Sequence, residues 1–371
     1  MVRLPVLPSS AASHFDTGPQ SIAAVKVLRI SITDRCNFRC VYCMPEEGVA
    51  WLPKQDILSF EEIADVVRAA VTQHGIRRFK LTGGEPTVRH GLVDLVRMLR
   101  GIAGVEDLSL TTNGQLLEHL AGPLKEAGLD RLTISLDSLR PDRFKRITRT
   151  GELASVLRGL ERASAVGFGD TKINCVTMRG TNDDEFPEFA QLTLEHRLTV
   201  RFIEYMPLGE AALMNGAEEK RVSEAETGPR GGCGAQDRGA EAFIAESEVR
   251  QRIEAALGPL MAVERSLEAG VGPANVYQLS RGNPKGRIGF ISAMSAPFCS
   301  TCNRLRLTAS GILRSCLFDG GEVDVRPLLR NPDLGRDARP AALAHAMAEC
   351  VRLKPVTHSG HGNQQMSRIG G

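Results

Sequence analysis

Between residues 27 and 206, short β-branched runs alternate with helical patterns, and this alternation constrains the fold more than any other feature. The runs are "VLRISIT" (27–33), "RRFKLT" (77–82), "DLSLTT" (107–112), "RLTISL" (131–136), "TKINCVTM" (171–178) and "VRFIEYM" (200–206), each of strand length. After the first, "SFEEIADVVRAAVTQHG" carries a Ser59/Glu62 capping box, a helical apolar stripe from Phe60 to Ala70, and Gly75 to close the end. Weaker helical patterns cover 92–99, 116–127, 153–165 and 186–195. Parallel neighbours need a crossover long enough to hold a helix, so this order predicts βαβ units and a parallel sheet. Periodicity alone does not separate a curled sheet from an open, doubly wound one. The stretches "DRC", "TGGEP", "TNG", "SLDS" and "YMPLG" fall where strands end, and in a barrel such tips converge on one site. The expectation is α/β: a partial (βα)6 TIM-like barrel with a C-terminal α+β extension closing its mouth.

The flanks read differently. Residues 1–24 mix Pro, Ser, Ala and Gly without periodicity and are expected to be a flexible arm before a barrel at 25–208. Residues 209–241 break the pattern as a Gly-rich insertion. The extension, 242–371, holds a helical stretch at 246–257, strand-like "NVYQLS" and "RIGFIS", a group of cysteines and a charged tail. With 46 Lys+Arg against 44 Asp+Glu the formal charge is +2, so no global field marks a nucleic-acid binder and any anion site must be local. No apolar run approaches the ~18 residues that span a bilayer, and the start lacks a basic-then-apolar signal. The chain is expected to be soluble and cytoplasmic.

Nine cysteines in a long chain of ordinary composition point to metal or catalysis before a disulfide framework. Six fall into two triplets, Cys36/Cys40/Cys43 and Cys299/Cys302/Cys316; Cys175, Cys233 and Cys350 stand alone and read as small buried hydrophobes or surface thiols. Four-iron clusters are usually held by four thiolates, so a triplet leaves one iron with an exchangeable position. The alternative is zinc, with His74 as the nearest fourth ligand for the first triplet and Cys350 or His358 for the second. Tyr42, between two of the thiols, is either plain packing or a lid on a bound adenine. After the second triplet, Arg304 and Arg306 share one face of a strand and invite an anion; the plain alternative is two solvated arginines.

"CNFRCVYC" has the pattern of the radical S-adenosylmethionine (SAM) superfamily, and "LTGGEP" resembles its second signature, so the barrel is expected to be of that type. Both triplets together, with "LTGGEPTVR", "TTNG", "ISLDS", "RFIEYMPLG", "CNRLRLT" and the final "MSRIGG", closely resemble the GTP 3′,8-cyclase family of molybdenum cofactor biosynthesis. The resemblance implies a carbon–carbon bond-forming lyase with two 4Fe-4S clusters and SAM. In it a 5′-deoxyadenosyl radical takes the C3′ hydrogen of GTP, and the ribose radical then attacks C8 of guanine. It assigns Cys36, Cys40 and Cys43 to the SAM cluster, and Cys299, Cys302 and Cys316 to an auxiliary cluster facing the substrate. Tyr42, Gly84, Glu85, Asn113, Ser135 and Met206 match SAM positions. Arg29, Lys80, Thr111, Lys172, Arg201, Arg304, Leu305 and Arg306 match GTP positions, and Arg304, Arg306, Gly370 and Gly371 the catalytic ones. Implied partners are a reductant protein and a downstream cyclic pyranopterin monophosphate synthase, with no nucleic acid and no membrane; a homodimer is left open.

The residues agree with a polyanionic substrate. A triphosphate needs neutralising, "GNPKGR" is not a phosphate-binding loop of the G-x4-GK[ST] kind, and cations instead fall on successive predicted strands. The 209–241 insertion, with Cys233, is longer than family members usually have. Two rival readings are a peptide-modifying radical SAM enzyme and a non-catalytic zinc protein that binds nucleic acid or a partner.

Overall fold

The computed structural model describes residues 18–208, 242–264, 272–318, 320–335, 337–358 and 366–369. The six expected strands are present as β1 (Val27–Ser31), β2 (Arg78–Thr82), β3 (Asp107–Thr112), β4 (Arg131–Ser135), β5 (Thr171–Thr177) and β6 (Leu198–Glu204), each parallel to the next. Between them run α1 (Phe60–His74), α2 (Leu92–Arg100), α3 (Leu117–Glu126), α4 (Pro141–Thr148), α5 (Leu153–Ala165) and α6 (Phe186–Glu195). The capping box of α1 forms as read: Ser59 Oγ accepts from the Glu62 N–H at 3.1 Å, and Glu62 Oε2 accepts from the Ser59 N–H at 2.7 Å. Gly75 closes the helix at φ 62°.

Strand side chains alternate as a curled sheet requires. Leu28, Ile30, Phe79, Leu81, Leu110 and Ile134 are buried in one apolar core with Ile63, Leu95, Leu124 and Val156 of the outer helices. The intervening positions, Arg29, Lys80, Ser109, Thr133 and Lys172 among them, line a single internal cavity. A strand covered by helices on both faces would read as continuously apolar. Here the polar alternation marks an interior built for a ligand, and with the helices on the outside this excludes the doubly wound alternative.

The extension does more than sit over the mouth. It contributes α7 (Glu246–Leu257), β7 (Leu260–Ala262), β8 (Asn275–Leu279), β9 (Arg287–Ile291), β10 (Arg304–Leu307), β11 (Ile312–Arg314), β12 (Glu322–Asp324), α8 (Arg326–Leu329) and α9 (Arg339–Arg352). Among the described residues all strands join one 12-stranded sheet in the order β12-β11-β10-β1-β2-β3-β4-β5-β6-β9-β8-β7. β10 lies parallel to β1 and β9 parallel to β6, so both edges of the six-stranded arc are extended by strands from one C-terminal segment. No described helix is long and apolar enough to cross a membrane.

Three local expectations are corrected. α4 went unread because "PDRFKRIT" is mostly charged and buries only Phe144, Ile147 and Thr148. The "charged tail" contains α9, which packs on α1: His74 Nε2 bonds the Ala344 carbonyl at 2.9 Å, and Arg339 pairs with Asp65 at 3.1 Å. The arm is folded from residue 18, where Ile22–Ala24 form a 3-10 turn and Ile22 rests on the core. Residues 1–17 and the 209–241 insertion lie outside the described residues.

Candidate active site

The first thiol triplet sits in the loop leaving β1. Cys40 and Cys43 share one turn, in which the Cys40 carbonyl accepts from the N–H groups of Cys43 (2.9 Å) and Met44 (3.0 Å). Cys36 Sγ accepts from the Phe38 N–H at 3.3 Å. The C-terminal end of α4 clamps this loop: Thr148 and Ile147 carbonyls accept from Arg39 and Val41, and Arg149 donates to the carbonyls of Arg39 and Met44. Burial pushes the Cys36 thiol up to about 11 and raises Cys40, so metal capture must release protons.

The tip after β2 packs directly on this loop. Gly84 donates to the Thr33 carbonyl at 2.8 Å, and a Cβ on it would fall on the carbonyl oxygens of Asp34 and Arg35. Glu85, 1% exposed, accepts from the Thr87 N–H (3.0 Å) and hydroxyl, the Thr112 hydroxyl (2.6 Å) and the Asn113 N–H (2.6 Å). It therefore staples the "GGEP" tip to the "TNG" tip. Asp137, in "SLDS", accepts from the Tyr42 hydroxyl at 2.7 Å and the Val176 N–H at 2.8 Å, fixing the ring that lies between two thiols. Burial pushes its carboxyl up to about 6.

Below these tips the strand register assembles cations. Arg306, Arg29, Lys80, Ser109 and Arg131 form one row across β10, β1, β2, β3 and β4. Ser135, Asn174, Arg201 and Gly289 form another across β4, β5, β6 and β9. Thr133 Oγ1 accepts from Lys80 Nζ at 3.1 Å and Arg201 Nη2 at 3.4 Å, tying two cations to one hydroxyl. Burial, then Arg201, Arg29 and Lys172, hold the Lys80 ammonium well below its ordinary range. Burial and then Arg304 bring Arg306 down to about 9. Thr111 Oγ1 and Asn174 Oδ1 are buried, line the same cavity and have no hydrogen-bond partner among the described residues. Polar atoms buried this way ordinarily meet a partner, so they fit a bound polar ligand.

The second triplet owes its spacing to a hairpin. Cys302 N–H donates to the Cys299 carbonyl at 3.1 Å in a 3-10 turn; β10 leaves and β11 returns, with Arg306 opposite Arg314, bringing Cys316 back beside Cys302. Arg304 and Arg306 share the cavity face of β10, and Arg304 lies 4.9 Å from the Phe298 ring centre. Burial works to raise the Cys302 thiol, but Arg304 and Lys354 outweigh it and hold the thiol below its ordinary value. Arg314 is fully buried in an ion pair with Glu322.

Two of the zinc ligands considered are placed elsewhere: His74 is on the α1–α9 interface, and Cys350 Sγ donates to the Gly321 carbonyl at 3.0 Å. His358 lines the cavity, with its Nε2 bonded to the Ala293 carbonyl at 2.9 Å and its ring stacked on Phe318. Among the described residues no three Cys, His, Asp or Glu side chains gather as one ion requires, and no disulfide joins the cysteines. A four-iron cluster distributes its thiolates over separate irons, and an all-thiol donor set matches its preference.

One cavity of about 350 Å3 is lined by Cys40, Cys43, Cys299, Cys302 and Cys316 together with the cations. It also meets Tyr42, Gly84, Glu85, Asn113, Ser135 and Met206, and Arg29, Lys80, Thr111, Lys172, Arg201, Arg304 and Arg306. One expected residue points away: Leu305 alternates onto the outer face of β10 and is buried beside Leu28. Cys36 packs against the core, as Cys40 does, and is not among the lining residues. Gly370 and Gly371 lie outside the described residues. Sequence reasoning missed Thr133, Asp137, Asn174 and Lys354; for Thr133 and Asn174 the signal was their two-residue spacing from Ser135 and Lys172.

Comparison with known proteins agrees with this geometry. The Radical SAM superfamily pattern matches residues 30–193, and the Molybdenum Cofactor Synthesis C pattern matches 225–360. The GTP 3′,8-cyclase of Pelotomaculum thermopropionicum is 45% identical over 351 residues, covering 94% of this chain and 98% of the relative. This chain belongs to the GTP 3′,8-cyclase family. The GTP 3′,8-cyclase of Moorella thermoacetica is 43% identical over 353 residues, with the same two coverages. Among solved structures, Streptococcus suis SuiB bound to precursor peptide SuiA matches at 14% identity with a TM-score of 0.47, covering 90% of this chain and 65% of that one. As a GTP 3′,8-cyclase family member and radical SAM protein, the chain uses 4Fe-4S clusters and SAM, and the thiol-lined cavity fits them.

Proposed function

We propose that this chain converts GTP to (8S)-3′,8-cyclo-7,8-dihydroguanosine 5′-triphosphate, the first step of molybdenum cofactor biosynthesis. The observation that carries the reading is the joint lining of one cavity by Cys40 and Cys43 of the first triplet, all three thiols of the second, and the cations between them. When bound, SAM and its cluster supply a 5′-deoxyadenosyl radical, and the auxiliary cluster presents the guanine.

The chain's own residues hold the reactants. Cys36, Cys40 and Cys43 anchor the first cluster, and Cys299, Cys302 and Cys316 the second. Tyr42, oriented by Asp137, Gly84, Asn113, Ser135 and Met206 line the SAM position, and Glu85, which braces two of those tips, would accept from the SAM ammonium. Arg29, Lys80, Lys172 and Arg201 offset the triphosphate charge, and Thr111 offers a hydroxyl. Arg304 and Arg306 orient the guanine end. The backbone of Leu305, not its side chain, is what the substrate could meet. Gly370 and Gly371 are assigned a catalytic role on the family resemblance; removing both should leave both clusters bound and abolish turnover, and full activity would refute this.

The chain divides into an arm, a barrel to residue 208, an insertion to 241 and the extension. It works in the cytoplasm with a reductant protein and a downstream synthase. The deciding measurement is GTP affinity of Lys172→Ala and Arg201→Ala. We expect each to weaken binding by about 1.5–3 kcal/mol, the value of a hydrogen bond to a charged group. Unchanged affinity in both variants refutes the cation assignment.

A further inference from the structure

Lys354 is 3% exposed and sits just past α9. Its ammonium donates to the carbonyls of Arg304 (2.9 Å) and Cys302 (3.3 Å) and reaches Cys302 Sγ at 3.8 Å. An ammonium has three donors, and these partners engage all three without a carboxylate. The 18–24 segment secures the position, because the Gln20 side-chain amide donates to the Lys354 carbonyl at 2.8 Å.

A buried ammonium is costly unless an anion compensates it. The thiol sulfur its ammonium reaches is Cys302 Sγ, whereas Cys350 donates its own thiol to the Gly321 carbonyl. As a cluster ligand Cys302 would carry negative charge as a thiolate. The cation is therefore matched to a loaded site.

Resting on the assignment of Cys302 as a cluster ligand, we propose that Lys354 is a positioning residue of the auxiliary centre. Its N–H···S contact and its charge raise that centre's reduction potential and hold the Cys299–Cys302 turn against β10. Hydrogen bonds to cluster sulfurs and net charge are among the factors that set such potentials. The SAM cluster, held by the loop after β1, receives no contact from Lys354 and serves as an internal reference.

The test is a redox titration, followed by electron paramagnetic resonance, of the anaerobically reconstituted full chain, with iron counted in every sample. Lys354→Met should lower the ratio of reduced to oxidised auxiliary cluster about tenfold at the wild-type midpoint, a shift of about 59 mV to more negative potential for one electron. The SAM-cluster midpoint should stay in place, and Lys354→Arg should recover most of the shift. If Lys354→Met sheds the auxiliary irons, Lys354→Gln is titrated instead and must show the same negative shift. Loss of irons in both, with recovery in Lys354→Arg, also supports the proposal. An unmoved auxiliary midpoint in an iron-replete neutral variant overturns it, as does iron loss that Lys354→Arg fails to restore. Wild-type protein with one cluster's iron overturns the ligand assignment and this inference with it; two clusters and an unmoved midpoint overturn this inference alone.

Discussion

At the scale of single residues, the cavity is governed by charge held in a place that disfavours it. Lys80 is depressed by burial and by four neighbouring cations, and phosphate oxygens would restore its charged form. The proton then binds more tightly in the complex than in the free protein. Affinity for GTP should be full below the free-state pKa, fall as pH rises through the window between free and bound values, and be accompanied by proton uptake within it. Calorimetry in buffers of different ionisation heat measures that uptake; Lys80→Gln should flatten the profile. Gly84 shows the opposite kind of constraint, one of space. Gly84→Ala drives a methyl into the carbonyls of Asp34 and Arg35, and overpacking of this kind costs about 1–3 kcal/mol. Thermal unfolding under anaerobic conditions should report that loss, together with fewer irons per chain. The sequence exposed Gly84 through its neighbours "TGGEP", whereas Thr133 offered only its two-residue spacing from Ser135. That two cations converge on its hydroxyl is seen only in the fold.

At the scale of elements, register decides which side chains meet. Arg201 lies opposite Gly289 of β9, and a Cβ on Gly289 would come within 3.1 Å of the Arg201 Cγ. The glycine makes room for the stem of the arginine. Gly289→Val should displace Arg201 and weaken GTP binding roughly tenfold, about 1.4 kcal/mol, while cluster content stays at the wild-type level. Equilibrium binding with an iron assay separates those outcomes. The strands themselves were legible because each is a short β-branched run with period-two polarity. α4 was hidden by its charge, yet it clamps the thiol loop, so an element without an apolar stripe positions the metal ligands.

At the scale of the whole molecule, the two thiol triplets lie more than 250 positions apart in sequence, and thiols of both reach one cavity because β9 and β10 extend opposite edges of one curled sheet. Anaerobically purified protein should be brown and hold about eight irons with matching sulfide if both centres are four-iron clusters. Colourless protein carrying zinc would return the reading to the zinc alternative. Replacing Cys299 and Cys302 by Ala should halve the iron count and leave the SAM-responsive signal in place.

The order of strands and helices, the two thiol triplets and most cavity residues follow from the sequence, because periodicity and ligand spacing are local properties of the chain. Which edge β9 and β10 occupy, the convergence of Lys80 and Arg201 on Thr133, and the seating of Lys354 against Cys302 required the folded chain. Each depends on residues far apart in sequence sharing a strand register or a buried charge, and no local pattern encodes such a pairing.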